Sequence, residues 1–173
     1  MSSERPSIVA PICLVIGALL GLAGSFAPSD SLRGLAWGVD GVALIVAAAL
    51  LAVHCLQQGY QSVASGFLVF IAGQTLVLSG SAMSLEASRP LFGAGVALWA
   101  AALVLISAAG IMPLLVRSLG GIAALLFVIT ALQIFAGHDI NPLSKPLPFF
   151  AYPVFVFTLF GWAWWCRAPA SSK

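Results

Sequence analysis

The stretch LAWGVDGVALIVAAALLAVHCL, residues 35–56, decides the fold class of this chain. An α-helix needs roughly 20 apolar residues to cross the hydrocarbon core of a bilayer, and Asp40 is the only Asp, Glu, Lys or Arg in this stretch. Because lipid offers no hydrogen-bond partners to the backbone, so long a run must be a helix or part of a closed barrel. Barrel strands alternate apolar and polar residues, and this stretch does not. It therefore predicts a transmembrane helix.

The rest of the chain is also rich in apolar residues and poor in charged ones. Of its 173 residues, 61% are hydrophobic and only 7% are charged, whereas about a quarter of the residues in soluble domains are charged. We expect no separate soluble domain, and the sequence contains no basic run that would bind nucleic acid. We predict a single all-α transmembrane domain over residues 1–173, with the lipid bilayer as its partner. Its six spans are predicted at residues 8–26, 35–56, 63–83, 91–112, 118–136 and 147–166.

A repeat organises these spans. A shift of 56 residues aligns Arg33 with Arg89 and then with Lys145, and each base is followed by Gly or Pro and then Leu. Asp30 and Glu86 precede the first two bases by three residues. Each unit therefore predicts a helix, a charged loop and a returning helix. The three tandem helical hairpins would occupy residues 1–56, 57–112 and 113–168.

The first span has a second interpretation. Arg5 followed by an apolar stretch and then by Ser25-Phe26-Ala27 is also typical of a secretory signal and its cleavage site. The repeat argues against cleavage, because removing the first helix would leave half a unit.

The hairpin pattern supports a resemblance to a known family. Together with Ser65-Gly66-Phe67-Leu68-Val69 and the glycine-rich first helices, it resembles the HdeD-type acid-resistance proteins. The resemblance implies a six-helix protein of the bacterial inner membrane, linked to survival at low pH and without an established catalytic site. The proline-rich third unit, residues 142–153, departs from the glycine-rich pattern.

The Lys and Arg residues give a weak indication of orientation. A cytoplasmic excess of these residues sets the orientation of membrane proteins. We predict that both termini are cytoplasmic. The terminal side holds Arg5, Arg117, Arg167 and Lys173, and the other side holds Arg33, Arg89 and Lys145.

The three repeated bases have two interpretations. Around a pseudo-threefold axis, Arg33, Arg89 and Lys145 would form a ring at the outer mouth, and such rings select anions in pores. Alternatively, each base reaches the lipid headgroups, and Asp30 and Glu86 form local ion pairs with the arginines three residues later.

Polar residues within the spans also have two interpretations. Asp40 is a candidate ion ligand or proton acceptor, or it lies at headgroup depth beside Trp37, which would anchor the helix at the interface. Gln74, Thr130 and Gln133 would line a permeation path, or they would form interhelical hydrogen bonds.

No cofactor or metal site is predicted. Cys13, Cys55 and Cys166 form no Cys-x-x-Cys motif, and His54 and His138 fall at opposite membrane faces, roughly 30 Å apart. This separation excludes a single haem-ligating pair.

The glycine-rich helices indicate close helix packing and a homo-oligomer. The clearest example is the Gly17-x-x-x-Gly21 stripe of the first helix, which continues to Gly24. Small residues let helices approach closely in lipid, either within one chain or between two copies.

We expect a non-enzymatic multi-pass protein of the inner membrane, with a role in envelope stress or acid tolerance implied by the family resemblance. One alternative is a small channel or permease for protons or small anions that uses the outer basic ring. A second alternative is a membrane enzyme or a cofactor-binding subunit, although the phosphate-loop, zinc-protease and nucleophile motifs of soluble enzymes are missing from the sequence.

Overall fold

A computed structural model describes residues 6–168, which form six α-helices. By length and composition α2 to α5 can cross a membrane, and α1 is a shorter apolar helix. The prediction of an all-α protein with membrane-compatible helices is confirmed. Arg5 and Lys173, which entered the orientation count, lie outside the described residues. The helices are α1 (Val9–Ser25), α2 (Asp30–Gln57), α3 (Gln61–Ser81), α4 (Arg89–Ala108), α5 (Leu114–Phe135) and α6 (Ala151–Arg167).

The longest helix, α2, begins five residues before the predicted span. Ser29 provides the N-cap, because its hydroxyl accepts a hydrogen bond from the Leu32 N–H at 3.3 Å. Asp30 in the first turn is favourable at the positive end of the helix dipole. With 28 residues, α2 is about 42 Å long. Its first two turns carry Arg33, which therefore lies at the end of the bundle.

The sixth helix begins later than its predicted span, at Ala151 instead of residue 147. Pro146 and Pro148 lack backbone N–H groups, and each disfavours the helical conformation of the residue before it. Pro153 is compatible with α6 because it lies in the first turn, where backbone N–H groups have no partner within the helix.

The helices form a closed ring. Each one packs against its neighbours in the chain, and α6 packs against α1. The connection at residues 58–60 is short because Gly59 adopts a φ of +83°, a conformation that glycine adopts without strain. The connections reverse the chain direction, so residues 26–29, 82–88 and 136–150 meet at the end of the bundle opposite the start of α1 and the end of α6. We call this the loop end.

Aromatic side chains fill the centre of the ring. Phe155 of α6 lies between rings from three other helices, with centroid distances of 5.1 Å to Trp99, 5.6 Å to Phe127 and 5.9 Å to Phe70. Trp162 extends the cluster to the next turns of α6 and packs edge-on against Phe70. Because lipid gives helices no hydrophobic reason to associate, this close packing is a main source of cohesion.

Glycines bring α1 and α2 into close contact. A Cβ atom at Gly17 would lie 2.5 Å from Leu44 Cδ2, and one at Gly24 would lie 2.4 Å from the Trp37 ring. The glycine stripe of α1 is therefore covered within one chain. A homo-oligomer formed through this stripe would have to displace α2.

Candidate functional site

A cavity of about 580 Å³ lies at the loop end. Its lining extends from the exposed side chains of Asp30 and Glu86 to the buried rings of Trp99 and Phe127, which belong to the central aromatic cluster. The volume is within the range of roughly 300 to 1,000 Å³ that is typical of small-molecule sites.

Asp40 lies in the cavity wall, ten residues into α2 from Asp30. At a rise of 1.5 Å per residue this is about 15 Å along the helix. The residue is 5% exposed, and its Oδ1 atom has no hydrogen-bond partner among residues 6–168.

Two glycines of α1 make room for this carboxyl group. A Cβ atom at Gly17 would lie 3.2 Å from Asp40 Oδ1, and one at Gly21 would lie 3.0 Å from Oδ2. Buried polar groups are normally hydrogen-bonded, because an unpaired group costs free energy. Because Asp40 lies in the cavity wall and its Oδ1 atom has no partner among residues 6–168, its carboxyl group is a candidate binding group.

Two further polar groups lie near the deep end of the cavity. Trp99 is 2% exposed, and its Nε1–H, which can only donate, has no acceptor within the described part of the chain. The hydroxyl of Tyr152 lies against α1, 1.8 Å from the position of a Cβ atom at Gly21. The deep end therefore combines a carboxyl acceptor, an indole donor and a phenol with apolar rings.

One side of the cavity mouth is formed by α2, which makes two contacts within its own first two turns and one hydrogen bond to α1. Arg33 forms an ion pair with Asp30, and its guanidinium carbon lies 5.9 Å from the centroid of the Trp37 ring. Trp37 Nε1 donates a hydrogen bond to the Gly21 carbonyl at 3.1 Å. The predicted local pair between Arg33 and Asp30 is present.

The other two bases also have partners at the loop end. Arg89 contacts Glu86 at 3.4 Å, as predicted, and pairs with Asp139 as well, which joins two loops. Lys145 Nζ lies 4.7 Å from the centroid of the Phe149 ring, a cation–π geometry.

The structure brings only some of the predicted site residues together. Arg33 and Asp40 both line the cavity, whereas Arg89 and Lys145 lie outside its lining. Gln74 is buried in α3 outside the lining, and Gln133 is exposed on α5. The buried Thr130 hydroxyl donates to the carbonyl of Leu126 in its own helix at 2.9 Å.

Two cavity residues, Trp99 and Tyr152, were not predicted as site residues. For Trp99 a signal was available in the helical spacing of Phe92, Val96, Trp99 and Leu103, all of which are buried on one face of α4. Tyr152 gave no comparable signal, because its position depends on how the proline-rich segment returns to α1.

Comparisons with known proteins found no match: no family model, no curated protein and no solved structure matches the chain. Among residues 6–168, no three His, Cys, Asp or Glu side chains lie close enough together to hold a metal ion. The fold and the cavity define a six-helix, all-α protein with membrane-compatible helices and a partly polar internal site.

Proposed function

We propose that this chain is a multi-pass inner-membrane protein that binds a small organic molecule, without turnover, in the cavity at the loop end. In this proposal all six helices span the membrane as three hairpins and both termini are cytoplasmic. The cavity then opens on the outer side, and a role in envelope stress or acid tolerance is its physiological setting. The observation that carries the proposal is the buried residue Asp40, which lines a cavity of about 580 Å³ and whose Oδ1 atom has no partner among residues 6–168.

The chemistry of the lining supports binding of an organic molecule. Small-molecule sites are mainly apolar and contain a few polar groups that orient the ligand. The deep end of this cavity has that composition, with the rings of Trp99, Phe127 and Tyr152 and the carboxyl group of Asp40.

Two observations favour binding over conduction of anions. The axis of the helix ring is filled by the aromatic cluster around Phe155. In addition, Arg33 and Arg89 are paired with carboxylates, and Lys145 lies over an aromatic ring. Bases engaged in this way are weaker candidates for an anion-selective ring.

A matched pair of glycine variants tests the proposal. Gly34 lines the cavity, and a Cβ atom there would meet only the Ser81 carbonyl, at 3.6 Å, so Gly34→Phe places a ring in the mouth. Gly38 lies one turn further along α2, and a Cβ atom there meets no atom of the described chain within 4 Å. Gly38→Phe therefore adds the same side chain outside the cavity.

The measurement is equilibrium dialysis of labelled 1-naphthylmethanol, 1-naphthylmethylamine and 1-naphthoate against the purified full-length protein in detergent. We expect saturable binding of at least one probe to the wild type and to Gly38→Phe, and at least tenfold weaker binding to Gly34→Phe. Equal binding to all three proteins, or no saturable binding of any probe, would overturn the proposal.

A further inference from the structure

We propose that the cavity selects a protonated organic amine with an aromatic or otherwise apolar body, and that Asp40 accepts the ammonium hydrogen bond. This inference rests on the proposed binding function of the cavity and names the class of its ligand.

The charges that line the cavity are mostly negative. The lining contains three carboxyl groups and one guanidinium group, those of Asp30, Asp40, Glu86 and Arg33. Arg33 is engaged by Asp30. A cleft lined mainly by one sign of charge, with walls of low dielectric constant, concentrates ligands of the opposite sign. The mouth therefore favours the entry of cations over anions.

Depth distinguishes Asp40 from the other two acids. The side chains of Asp30 and Glu86 are 97% and 83% exposed, and each contacts an arginine, whereas Asp40 is 5% exposed and its Oδ1 atom has no partner among residues 6–168. Hydrogen bonds that involve an ionised group are about twice as strong as neutral ones. An ammonium N–H at the Asp40 carboxyl group would supply both a hydrogen bond and the opposite charge that this buried group lacks.

The aromatic rings near Asp40 favour an organic cation over a metal ion. Ca²⁺ and Mg²⁺ need several oxygen ligands, and Asp40 is the one buried carboxyl group in the cavity lining, which also contains the rings of Trp99, Phe127 and Tyr152. The faces of Trp, Tyr and Phe rings attract cations and also pack against apolar bodies. Trp37 and Phe149 at the mouth already lie beside Arg33 and Lys145, so Trp99, Phe127 and Tyr152 form the recognition surface at depth.

The three naphthyl probes test the inference because they share a ring and differ in charge. In the wild type we expect the affinity for 1-naphthylmethylamine to be at least about tenfold higher than that for 1-naphthylmethanol, and 1-naphthoate to bind most weakly. Asp40→Asn keeps the size of the side chain and removes its charge, and we expect it to abolish the preference for the amine while the alcohol still binds. Asp139→Asn is the matched control, because it removes one negative charge from the loop end outside the cavity lining and leaves Arg89 paired with Glu86; it should change the preference less than twofold.

The possible outcomes separate the two proposals. If the alcohol binds the wild-type cavity as tightly as the amine, the inference is wrong and the binding function stands. The same conclusion follows if Asp40→Asn retains the preference. If no probe binds saturably, the binding function itself fails. The comparison within the wild type needs no variant, so it remains decisive even if Asp40→Asn does not fold.

Discussion

Replacement of Gly21 by Ala tests how α1 closes the ring against α2 and α6. The added Cβ atom would lie 1.8 Å from the Tyr152 hydroxyl, 2.9 Å from Tyr152 Cζ and 3.0 Å from Asp40 Oδ2. These separations are shorter than van der Waals contact. Tyr152 or the backbone of α1 must therefore move.

The expected cost follows from a comparison within the chain. Extra methyl groups in a packed core typically cost about 1–3 kcal/mol, whereas Gly→Ala in an unobstructed helix gains up to about 1 kcal/mol from helix propensity. Gly38→Ala is the matched control, because a Cβ atom there meets no described atom within 4 Å. Since the propensity gain applies to both variants, we expect Gly21→Ala to be about 1–3 kcal/mol less stable than Gly38→Ala.

Unfolding of the full-length protein by SDS in mixed micelles, followed by tryptophan fluorescence, measures this difference. Tyr152→Phe removes the atom that makes the closest contact, so it should restore much of the stability lost in Gly21→Ala. The double-mutant cycle then gives a coupling energy between positions 21 and 152. Equal stability of the two alanine variants, or no coupling to Tyr152, would refute the described packing of α1 against α6.

Three further predictions use the same unfolding assay. Phe155→Ala removes the ring at the centre of the aromatic cluster and should cost about 3–5 kcal/mol, whereas Phe157→Ala, at a side chain on the same helix that is 60% exposed, should change stability by less than about 1 kcal/mol; similar losses would contradict the cluster. Trp37→Phe removes the 3.1 Å hydrogen bond to the Gly21 carbonyl and should cost about 0.5–1.5 kcal/mol, and an unchanged midpoint would argue against that bond. Arg89→Gln should cost no more than about 1 kcal/mol, because its carboxylate partners are 83% and 85% exposed; a loss of several kcal/mol would show that this loop contact is stronger than its exposure implies.

The positions of the helices could be predicted from the sequence because length and hydropathy determine them. All six predicted runs agree with observed helices to within five residues at each end. The exact starts of α2 and α6 depend on an N-cap at Ser29 and on Pro146 and Pro148, which are local effects that hydropathy does not measure.

The cavity could be predicted only in part, because apolar side chains occur on both the inner and the outer faces of these helices. Leu44 of α2 is fully buried and Val42 is 56% exposed, yet both are apolar. In lipid, hydrophobicity therefore does not reveal which face of a helix is turned inward. Asp40 could be singled out because it is an acid within an apolar run, whereas its neighbours Trp99 and Tyr152 depend on the rotation of α4 and on the return path of residues 136–150.

The closed ring makes completion of the fold depend on the synthesis of α6. The first helix and the last helix share an interface, so α1 keeps one side unpaired until α6 has been made. A chain that stops before Ala151 lacks both Tyr152 and the helix that covers this side of the bundle. Such a chain would leave the Asp40 carboxyl group less shielded from lipid, where an acidic side chain at the centre of a span costs about 3 kcal/mol. Synthesis of α6 is thus a condition for burying this residue, and a chain without α6 carries a less shielded carboxyl group within its second helix.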